Sequence, residues 1–282
     1  MDAPPPLDLQ DAGSVIEVLT SAAEAMLQSP LRRGCCVNLP AKGRLLATGD
    51  LHDNPFHYQA IRTLARLDAS PDHHVVLHEL IHGDNLVNGM DFSYRMLARV
   101  AHLVLQHPGQ AHPLLANHEL SQLMNVGVSK GAGNSVELFR QAMAFSFDED
   151  AEDVETAVHA FALRSEGGVL CAHSLPSAER MKRFDPGVLD RRLEAEDYVR
   201  PHGQAYMMTW GRGYTDESVA ELAGAWNVKL FCLGHAFVET GIEMAGPRII
   251  VLNSDHARAA VLPLDLTDLP TPEEAIMHAI PL

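Results

Sequence analysis

Five short apolar runs in this chain are each followed by side chains of the kind that bind metal ions. The polar segments are residues 49–52 (Gly-Asp-Leu-His), 78–79 (His-Glu), 117–119 (Asn-His-Glu), His173 and 234–235 (Gly-His). In an open α/β sheet, ligands bind beyond the carboxyl ends of the strands, so we expect these segments to meet at one edge. Carboxylate, amide and imidazole donors that converge there can hold two divalent cations and activate a water. The pattern therefore points to a hydrolytic site on an α/β fold.

Predicted strands and helices alternate along the first half of the chain. The predicted elements are strands 35–39 and 44–48, helix 55–67, strand 74–78, helix 91–106 and strand 112–116, followed by helices 119–125, 134–146 and 151–163. Such alternation favours a layered α/β core over separate α and β domains. The acidic run 148–153 is expected to cap a helix rather than to bind a metal, because its carboxylates favour the positive end of the helix dipole.

The second half has a different pattern. It is predicted to contain strand 169–172, a charged irregular segment over 176–208, helix 216–226, strand 228–233 and three consecutive antiparallel strands, 242–244, 248–253 and 259–264. Residues 14–28 have helical periodicity after a serine cap and predict an accessory helix. We therefore expect an N-terminal accessory segment, residues 1–30, and a single catalytic domain over residues 31–282.

The net charge indicates which kinds of binding partner are disfavoured, and the cysteine content indicates the cellular compartment. The chain has 37 acidic and 21 basic residues, a net charge of −16, which repels polyanions and disfavours nucleic acid and anionic membranes as partners. Its four cysteines show neither metal-binding nor disulfide spacing, and its first ten residues do not resemble a signal peptide. No apolar run is long enough to cross a bilayer. We expect a cytoplasmic protein.

Each segment has a chemistry that suits a metal site, and most also have an ordinary alternative. Asp50 and His52 are two residues apart, so in extended chain both would project to one side and hold one ion. The carboxylate of Glu79 can bridge two ions, or it can merely cap a helix. Asn117 can face an ion while His118, on the opposite side, acts as a general acid, because an imidazole pKa is about 6.5. The specificity lies in the order of all five segments.

This order of motifs resembles that of the calcineurin-like metallophosphoesterases, in the form seen in the phosphoprotein phosphatase branch and its bacterial relatives. The resemblance spans residues 43–262. It implies a two-sheet β-sandwich flanked by helices, with a centre of two divalent or mixed-valence metal ions (manganese, iron or zinc). In that family a metal-bound hydroxide attacks phosphorus directly, without a phosphoenzyme. The implied substrate is a phosphorylated small molecule or a phosphoprotein.

The resemblance also implies a role for each site residue through its position in the motifs. The ligands of one metal correspond to Asp50, His52 and Glu79. The ligands of the other correspond to Glu79, Asn117, His173 and His235. His118 corresponds to the acid that protonates the leaving group. Arg212, in a Thr-Trp-Gly-Arg segment, corresponds to an arginine that contacts phosphate, and the alternative for it is a surface salt bridge.

The second and third motifs depart from the family pattern. Where the family has Gly-Asp-x-x-Asp-Arg-Gly, residues 78–84 are His-Glu-Leu-Ile-His-Gly-Asp. Glu79 thus replaces the bridging aspartate, His82 stands where a second aspartate orients the catalytic histidine, and Gly83 replaces a phosphate-binding arginine. A second such arginine is absent from residues 115–116 (Leu-Ala), before Asn-His-Glu. Asp84 is a candidate replacement partner for His118.

Two functions are therefore open. The first is a metal-dependent phosphatase that hydrolyses a phosphate monoester, with His82 or Arg212 compensating for the absent arginines. The second is a metal-binding regulatory protein that keeps the fold but turns over substrate weakly or not at all. The second function is open because the loss of one donor to a transition state costs about 10²–10³ in rate.

Overall fold

Two β-sheets lie at the centre of the fold, and helices cover their outer faces. The computed structural model describes residues 4–130, 133–147, 162–165 and 169–282. The seven-stranded sheet contains, in spatial order, β1 (Arg32–Arg33), β2 (Cys36–Leu39), β8 (Ala162–Ser165), β9 (Val169–Ala172), β10 (Leu230–Leu233), β12 (Ile249–Leu252) and β11 (Ile242–Met244). The five-stranded sheet contains β14 (Ile280–Pro281), β13 (Ala260–Asp265), β3 (Arg44–Ala47), β4 (His73–Leu77) and β5 (Ala111–Pro113). Strands β6 (Ser129–Lys130) and β7 (Gly133–Asn134) form a separate two-stranded sheet.

The helices begin where local sequence signals favour them. They are α1 (Ala12–Leu27), α2 (Pro55–Ala65), α3 (Tyr94–Gln106), α4 (Asn117–Leu123), α5 (Ser135–Phe147), α6 (Gln204–Thr209), α7 (Asp216–Trp226) and α8 (Pro272–His278). In α2, the Asn54 side chain accepts a hydrogen bond from the backbone N–H of His57, and Pro55 occupies the first turn. Among the described residues, no helix is long and apolar enough to span a membrane.

Alternation along the strands explains the layers of the fold. In β10, Leu230 and Cys232 point into an apolar core that both sheets share, whereas Phe231 and Leu233 pack with the helices outside the seven-stranded sheet. Successive side chains of a strand point to opposite faces, so each sheet buries both of its faces. The result is the two-sheet sandwich flanked by helices that the family resemblance implied.

Parallel strands of both sheets end at the same edge. In the five-stranded sheet β3, β4 and β5 are parallel, and in the seven-stranded sheet β9, β10 and β12 are parallel. Just past β3, the backbone of Asp50 forms single bridges with His78, which follows β4, and with Asn253, which follows β12. Since His78 and Asn253 belong to different sheets, Asp50 lies where the two sheets meet.

Two predictions about the elements were wrong. The segment 259–264, predicted as the third strand of an antiparallel set, lies in β13, which runs antiparallel to β3 in the other sheet. β12 already has β10 and β11 as neighbours, so it offers β13 no open edge. Residues 162–163, at the end of a predicted helix, lie in β8, because pairing with β2 and β9 overrides the local pattern. The rest of that helix, residues 151–161, and the acidic run 148–153 fall outside the described residues.

The two ends of the chain differ in how well the sequence predicted them. Helix α1 buries Val15, Val18 and Leu19 in the same apolar cluster as α3, so the expected N-terminal helix is present, while the domain boundary near residue 30 stays a prediction. At the other end, α8 and β14 were not predicted. Helix α8 begins with a capping box between Thr271 and Glu274, a signal that the sequence already contained.

Candidate metal centre

Side chains from five strand ends converge at this edge of the sandwich. Six of them, all buried, are Asp50 after β3, His78 and Glu79 after β4, Asn117 at the start of α4, His173 after β9 and His235 shortly after β10. Glu79 and His235 have left-handed φ angles of 49° and 65°. Such angles are uncommon for residues other than glycine and concentrate at functional sites.

Gly234 allows the loop after β10 to approach the other strand ends. A Cβ at this position would lie 2.3 Å from Oδ1 of Asp50 and 2.3 Å from Cε1 of His78. The close approach lets the backbone N–H of His235 donate to both carboxylate oxygens of Asp50, at 2.9 and 3.1 Å. The glycine is therefore required by the packing of the site.

Four donor atoms lie close enough together to surround one ion. Nε2 of His173 is 2.6 Å from Oδ1 of Asn117, 2.9 Å from Oε2 of Glu79 and 3.2 Å from Nδ1 of His235. Oδ1 of Asn117 is also 2.9 Å from Nδ1 of His235. Adjacent ligands of a six-coordinate ion with bonds of about 2.1 Å lie about 3 Å apart, so the spacing suits a metal.

A second group lies on the other side of the His173 ring. Nδ1 of His173 is 3.1 Å from Nδ1 of His78 and 3.5 Å from Oδ1 of Asp50. Nδ1 of His78 is 3.6 Å from the same oxygen of Asp50. The two groups of possible metal ligands thus share His173, through its opposite nitrogen atoms.

Burial shifts the carboxyl groups of the site towards their neutral form. It raises the pKa of Asp50 to about 8, against the opposing effect of the His235 N–H. Burial also raises the pKa of Glu119 to about 7, although its Oε1 accepts hydrogen bonds from the N–H groups of Leu80 and Ile81. Buried carboxylates are stable when they are paired or bound to a metal, so a cation would hold them ionised at neutral pH.

Burial also keeps the histidines of the site neutral. It lowers the pKa of His78 to about 4 and, together with the charge of Arg212, lowers the pKa of His235 to about 3. The pKa of His173 lies well below its usual range, mainly because the side chain is buried and secondly because the neighbouring His235 disfavours a positive charge. Neutral imidazole is the form that binds metals. The donor set therefore fits a metal ion in its chemistry as well as in its spacing.

His118 lies beside the four donor atoms, at the start of α4. Its backbone N–H donates to Oε1 of Glu79 over 3.1 Å, and its ring meets those of His52 and His82 edge-on, at centroid distances of 5.6 and 5.1 Å. Asn117 and His118 occupy the first turn of a helix and not the extended chain on which the prediction rested. The Asn117 side chain contacts His173, whereas the His118 ring contacts His52 and His82.

His52 does not continue an extended chain from Asp50. Its φ angle is 43°, so the premise that the chain stays extended and projects both side chains to one side was wrong. Nδ1 of His52 lies 3.1 Å from the carbonyl oxygen of Ile81. A carbonyl only accepts, so Nδ1 carries the proton and Nε2 keeps the lone pair that a metal requires. The ligand role of His52 stays a prediction.

Behind His118, a buried histidine that is hydrogen-bonded to a carboxylate occupies the place where the family pattern has a second aspartate. Nδ1 of His82 is 2.6 Å from Oδ2 of Asp91, and Oδ1 of Asp91 accepts the N–H of Ser93. The Ser93 hydroxyl in turn accepts the N–H of His82. Asp84, which the sequence suggested as a partner of His118, has an exposed side chain.

Arg212 lies at the mouth of the site with an exposed side chain. Its Nη2 donates to the carbonyl oxygen of His235 over 3.1 Å, and the neighbouring Trp210 ring meets the His235 ring edge-on at 6.1 Å. Burial is the main cause of the lowered pKa of His235, and the guanidinium charge lowers it further. In Asp50, burial raises the pKa and the guanidinium charge partly opposes this rise. An exposed cation next to the buried His235 is well placed to meet an anionic substrate.

Comparison with known proteins assigns the family. The family model described as calcineurin-like phosphoesterase matches residues 43–238, more than half of the chain. The chain belongs to this family. A protein serine/threonine phosphatase from Saccharomyces cerevisiae has a similar fold, with a TM-score of 0.66, 12% identity and coverage of 90% of this chain and 83% of that one. A cold-active protein-tyrosine phosphatase from a psychrophilic Shewanella species has a TM-score of 0.55 and 15% identity, over 82% of this chain and 78% of that one.

This calcineurin-like phosphoesterase is therefore a metal-dependent hydrolase of phosphate esters, and the predicted fold is confirmed. No curated protein sequence matches the chain. Sequence analysis assigned no role to two residues of the site. His78 directly precedes Glu79 at a strand end, so its place there was a signal. Asp91 had none, because only the fold brings it to His82.

Proposed function

We propose that this phosphoesterase is a phosphatase that hydrolyses phosphate monoesters with two bound metal ions of manganese, iron or zinc. The observation that carries the proposal is the convergence of three donor atoms within 3.2 Å of a fourth, Nε2 of His173, next to His118, in a member of the family. Ions bound there would lower the pKa of a water, so that hydroxide is available at neutral pH, and would offset the charge of the phosphoryl group.

The ligands divide between the two ions. One ion is held by Glu79, Asn117, His173 and His235, which the short distances between their donor atoms support. The other is held by Asp50 and His52, with Glu79 shared between the two. Asp50 is buried beside the first group, and the tautomer of His52 leaves Nε2 able to bind.

Two residues act on the substrate. His118 donates a proton to the leaving-group oxygen, and its backbone bond to Glu79 holds it next to the ligand that both ions share. Arg212 binds the phosphoryl oxygens, since it is exposed at the mouth and provides positive charge beside buried carboxylates. It takes over part of the role of the arginines that are absent at Gly83 and at residues 115–116.

The substrate is a phosphorylated small molecule or a phosphoprotein, and the similarity in fold to two protein phosphatases supports a phosphorylated substrate. All the proposed site residues lie within residues 31–282, which we assign as the catalytic domain, with residues 1–30 as an accessory segment. The four cysteines are buried free thiols, which supports a reducing compartment such as the cytoplasm.

Hydrolysis of an aryl phosphate tests the proposal. Protein stripped of metal and reloaded with Mn²⁺ is expected to hydrolyse phenyl phosphate, whose leaving group needs a proton, and His118→Asn should lower kcat for this ester by about 10²–10⁴ without releasing the metal. Asn117→Ala should weaken metal binding as well as activity. His112→Asn, which changes a buried histidine that pairs with His74, is the matched control and should keep both. Full activity in both site variants would overturn the proposal.

A catalytically weak metal-binding protein is the second candidate, and the absence of arginine at Gly83 and at residues 115–116 favours it. In that case the wild-type protein would bind metal stoichiometrically and hydrolyse none of a panel of phosphate monoesters and diesters.

A further inference from the structure

His173 stands between the two groups of possible metal ligands. Its Nε2 faces oxygen atoms of Asn117 and Glu79 at 2.6 and 2.9 Å, and its Nδ1 faces His78 and Asp50 at 3.1 and 3.5 Å. A neutral imidazole has one N–H and one lone pair. With a neutral His173, only one side of the ring can therefore bind a metal.

His78 determines which side this is. Nε2 of His78 lies 2.8 Å from the carbonyl oxygen of Thr48, at the end of β3. The carbonyl only accepts, so Nε2 of His78 carries the proton and its Nδ1 has the lone pair. That lone pair faces Nδ1 of His173 over 3.1 Å, and both side chains are fully buried. Two lone pairs would repel at this distance, so Nδ1 of His173 carries a proton and donates it to His78.

This chain of hydrogen bonds leaves Nε2 of His173 without a proton. Its neighbours Oδ1 of Asn117 and Oε2 of Glu79 are acceptors, so no proton of His173 links these atoms. A cation among them relieves the repulsion between their lone pairs. Nδ1 of His173, in contrast, carries a proton and has no lone pair for a metal, so the group formed by Asp50, His78 and His173 cannot bind one through this atom.

We propose that His78 is a positioning residue that sets the tautomer of His173 and so directs the metal to the group formed by Glu79, Asn117, His173 and His235. The proposal rests on the proposed function only in requiring that this group binds a metal. The family pattern has glycine where this chain has His78, so the hydrogen bond from His173 to His78 is not part of that pattern. Hydrogen bonds to the far nitrogen of a ligating histidine are a common way to fix its tautomer and orientation.

Two contacts hold the His78 ring in place. Its backbone pairs with that of Asp50 in a single bridge, and the Cα of Gly234 packs so closely that a Cβ there would lie 2.3 Å from Cε1 of His78. The ring thus has little freedom to turn away from Thr48 or from His173. A residue that hydrogen-bonds to the far nitrogen of a metal-binding histidine typically contributes about 10–100-fold to metal affinity.

Nuclear magnetic resonance of the wild-type protein tests the tautomers directly. Long-range ¹H–¹⁵N spectra of protein labelled with ¹⁵N-histidine, stripped of metal and then loaded with Zn²⁺, distinguish protonated from unprotonated ring nitrogens. We expect His78 protonated at Nε2, and His173 protonated at Nδ1 with Nε2 shifted by zinc. A zinc-dependent shift at Nδ1 of His78 or of His173 would overturn the proposal, since it would place the ion in the other group.

Variants test the effect on affinity. His78→Ala should weaken Zn²⁺ binding about 10–100-fold, while the number of ions bound at saturation stays that of the wild type. His78→Gln should recover part of the loss, because its amide oxygen can accept from Nδ1 of His173. His112→Asn, at a buried histidine bonded to His74, controls for the loss of a buried imidazole. Wild-type affinity in His78→Ala, or the loss of a whole equivalent of zinc, would contradict a positioning role.

These measurements are separable from the proposed function. If the wild-type protein shows the expected tautomers and zinc shift but hydrolyses no phosphate ester, only the proposed function fails. If it is an active phosphatase and the tautomers are reversed, only the role of His78 fails. Should His78→Ala not fold, the spectra of the wild-type protein still give the answer.

Discussion

Nδ1 of His82 lies 2.6 Å from a carboxylate oxygen of Asp91, and both side chains are buried behind the ring of His118. In the family pattern an aspartate at the position of His82 orients the catalytic histidine. Here a histidine stands at that position, and a carboxylate from nine residues further along the chain holds it. We therefore expect two residues, Asp91 and His82, to orient His118 in this protein, where the family pattern uses one aspartate.

Asp91→Asn should therefore impair leaving-group protonation more than metal binding. We expect kcat for phenyl phosphate to fall about 10–100-fold, and kcat for p-nitrophenyl phosphate to fall much less, because nitrophenolate leaves without a proton. Steady-state kinetics on both esters measures the difference. Asp84→Asn, at an exposed carboxylate, is the control and should leave both rates near those of the wild type. Equal losses on the two esters would argue against this role.

Gly234→Ala and Gly224→Ala should have opposite effects. A Cβ at Gly234 would lie 2.3 Å from Oδ1 of Asp50, so the loop must shift, at a cost of about 1–3 kcal/mol in stability and with weaker metal binding. Gly224 lies exposed in α7 with nothing within 4 Å of the added Cβ, so alanine there should stabilise the fold by about 0.5–1 kcal/mol. Urea unfolding and zinc titration check both. A neutral Gly234→Ala would show that the close approach is not required.

Arg212→Ala should weaken substrate binding and transition-state stabilisation without loss of metal. Its guanidinium group bonds to the His235 carbonyl and is otherwise exposed at the mouth, so we expect kcat/KM to fall about 10²–10³-fold. Inorganic phosphate should also inhibit the variant less strongly. Arg62→Ala, on helix α2, removes a half-buried arginine that bonds to Gln106 and should change neither quantity. An unchanged kcat/KM would leave the surface salt bridge as the interpretation of Arg212.

Asp197 should make stability depend on pH in the acid range. Both of its oxygens accept from Arg191, at 2.6 and 2.7 Å, and this hydrogen bonding is the main reason that its pKa is lowered. A lowered folded-state pKa means that the stabilisation is complete above the unfolded value of about 3.9 and is lost as pH falls through the folded value. Because Arg191 is 40% exposed, we expect only about 1 kcal/mol.

Urea unfolding of the wild type and of Asp197→Asn measures this contribution. The difference in free energy of unfolding should be constant from about pH 7 to pH 5 and shrink below about pH 4. Glu239→Gln, in a pair with Arg258 whose side chains are both mostly exposed, should show no such difference. A gap that persists undiminished at low pH would indicate that the asparagine variant is destabilised for another reason.

Local patterns accounted for most of the fold. Apolar runs with turn or capping residues at their ends predicted β3, β4, β9 and β10, as well as α2 and α7, because these signals act within a few residues. They failed for β13, whose partner was decided by which strand edges stay open once the other strands have paired. Strand order depends on contacts between distant segments, which periodicity does not report.

The run at residues 78–82, His-Glu-Leu-Ile-His, shows the same division within the site. On a helix its two histidines would face one zinc ion. Here Glu79 and His82 have φ angles of 49° and 60°, so the segment is no helix and its histidines serve different partners. His78 contacts His173, and His82 contacts Asp91.

The sequence by itself determined which donor residues follow the strand ends, and hence that carboxylate, amide and imidazole groups would meet at one edge of a sheet. Strand direction and alternation are local properties, and they were sufficient for this. Only the tertiary structure decided that Asp91 contacts His82, and that His78, next to the Thr48 carbonyl, contacts Nδ1 of His173 while Nε2 of His173 faces Asn117. Hydrogen-bond partners and proton positions depend on ångström-scale distances between segments far apart in the chain, and those distances exist only once both sheets have packed.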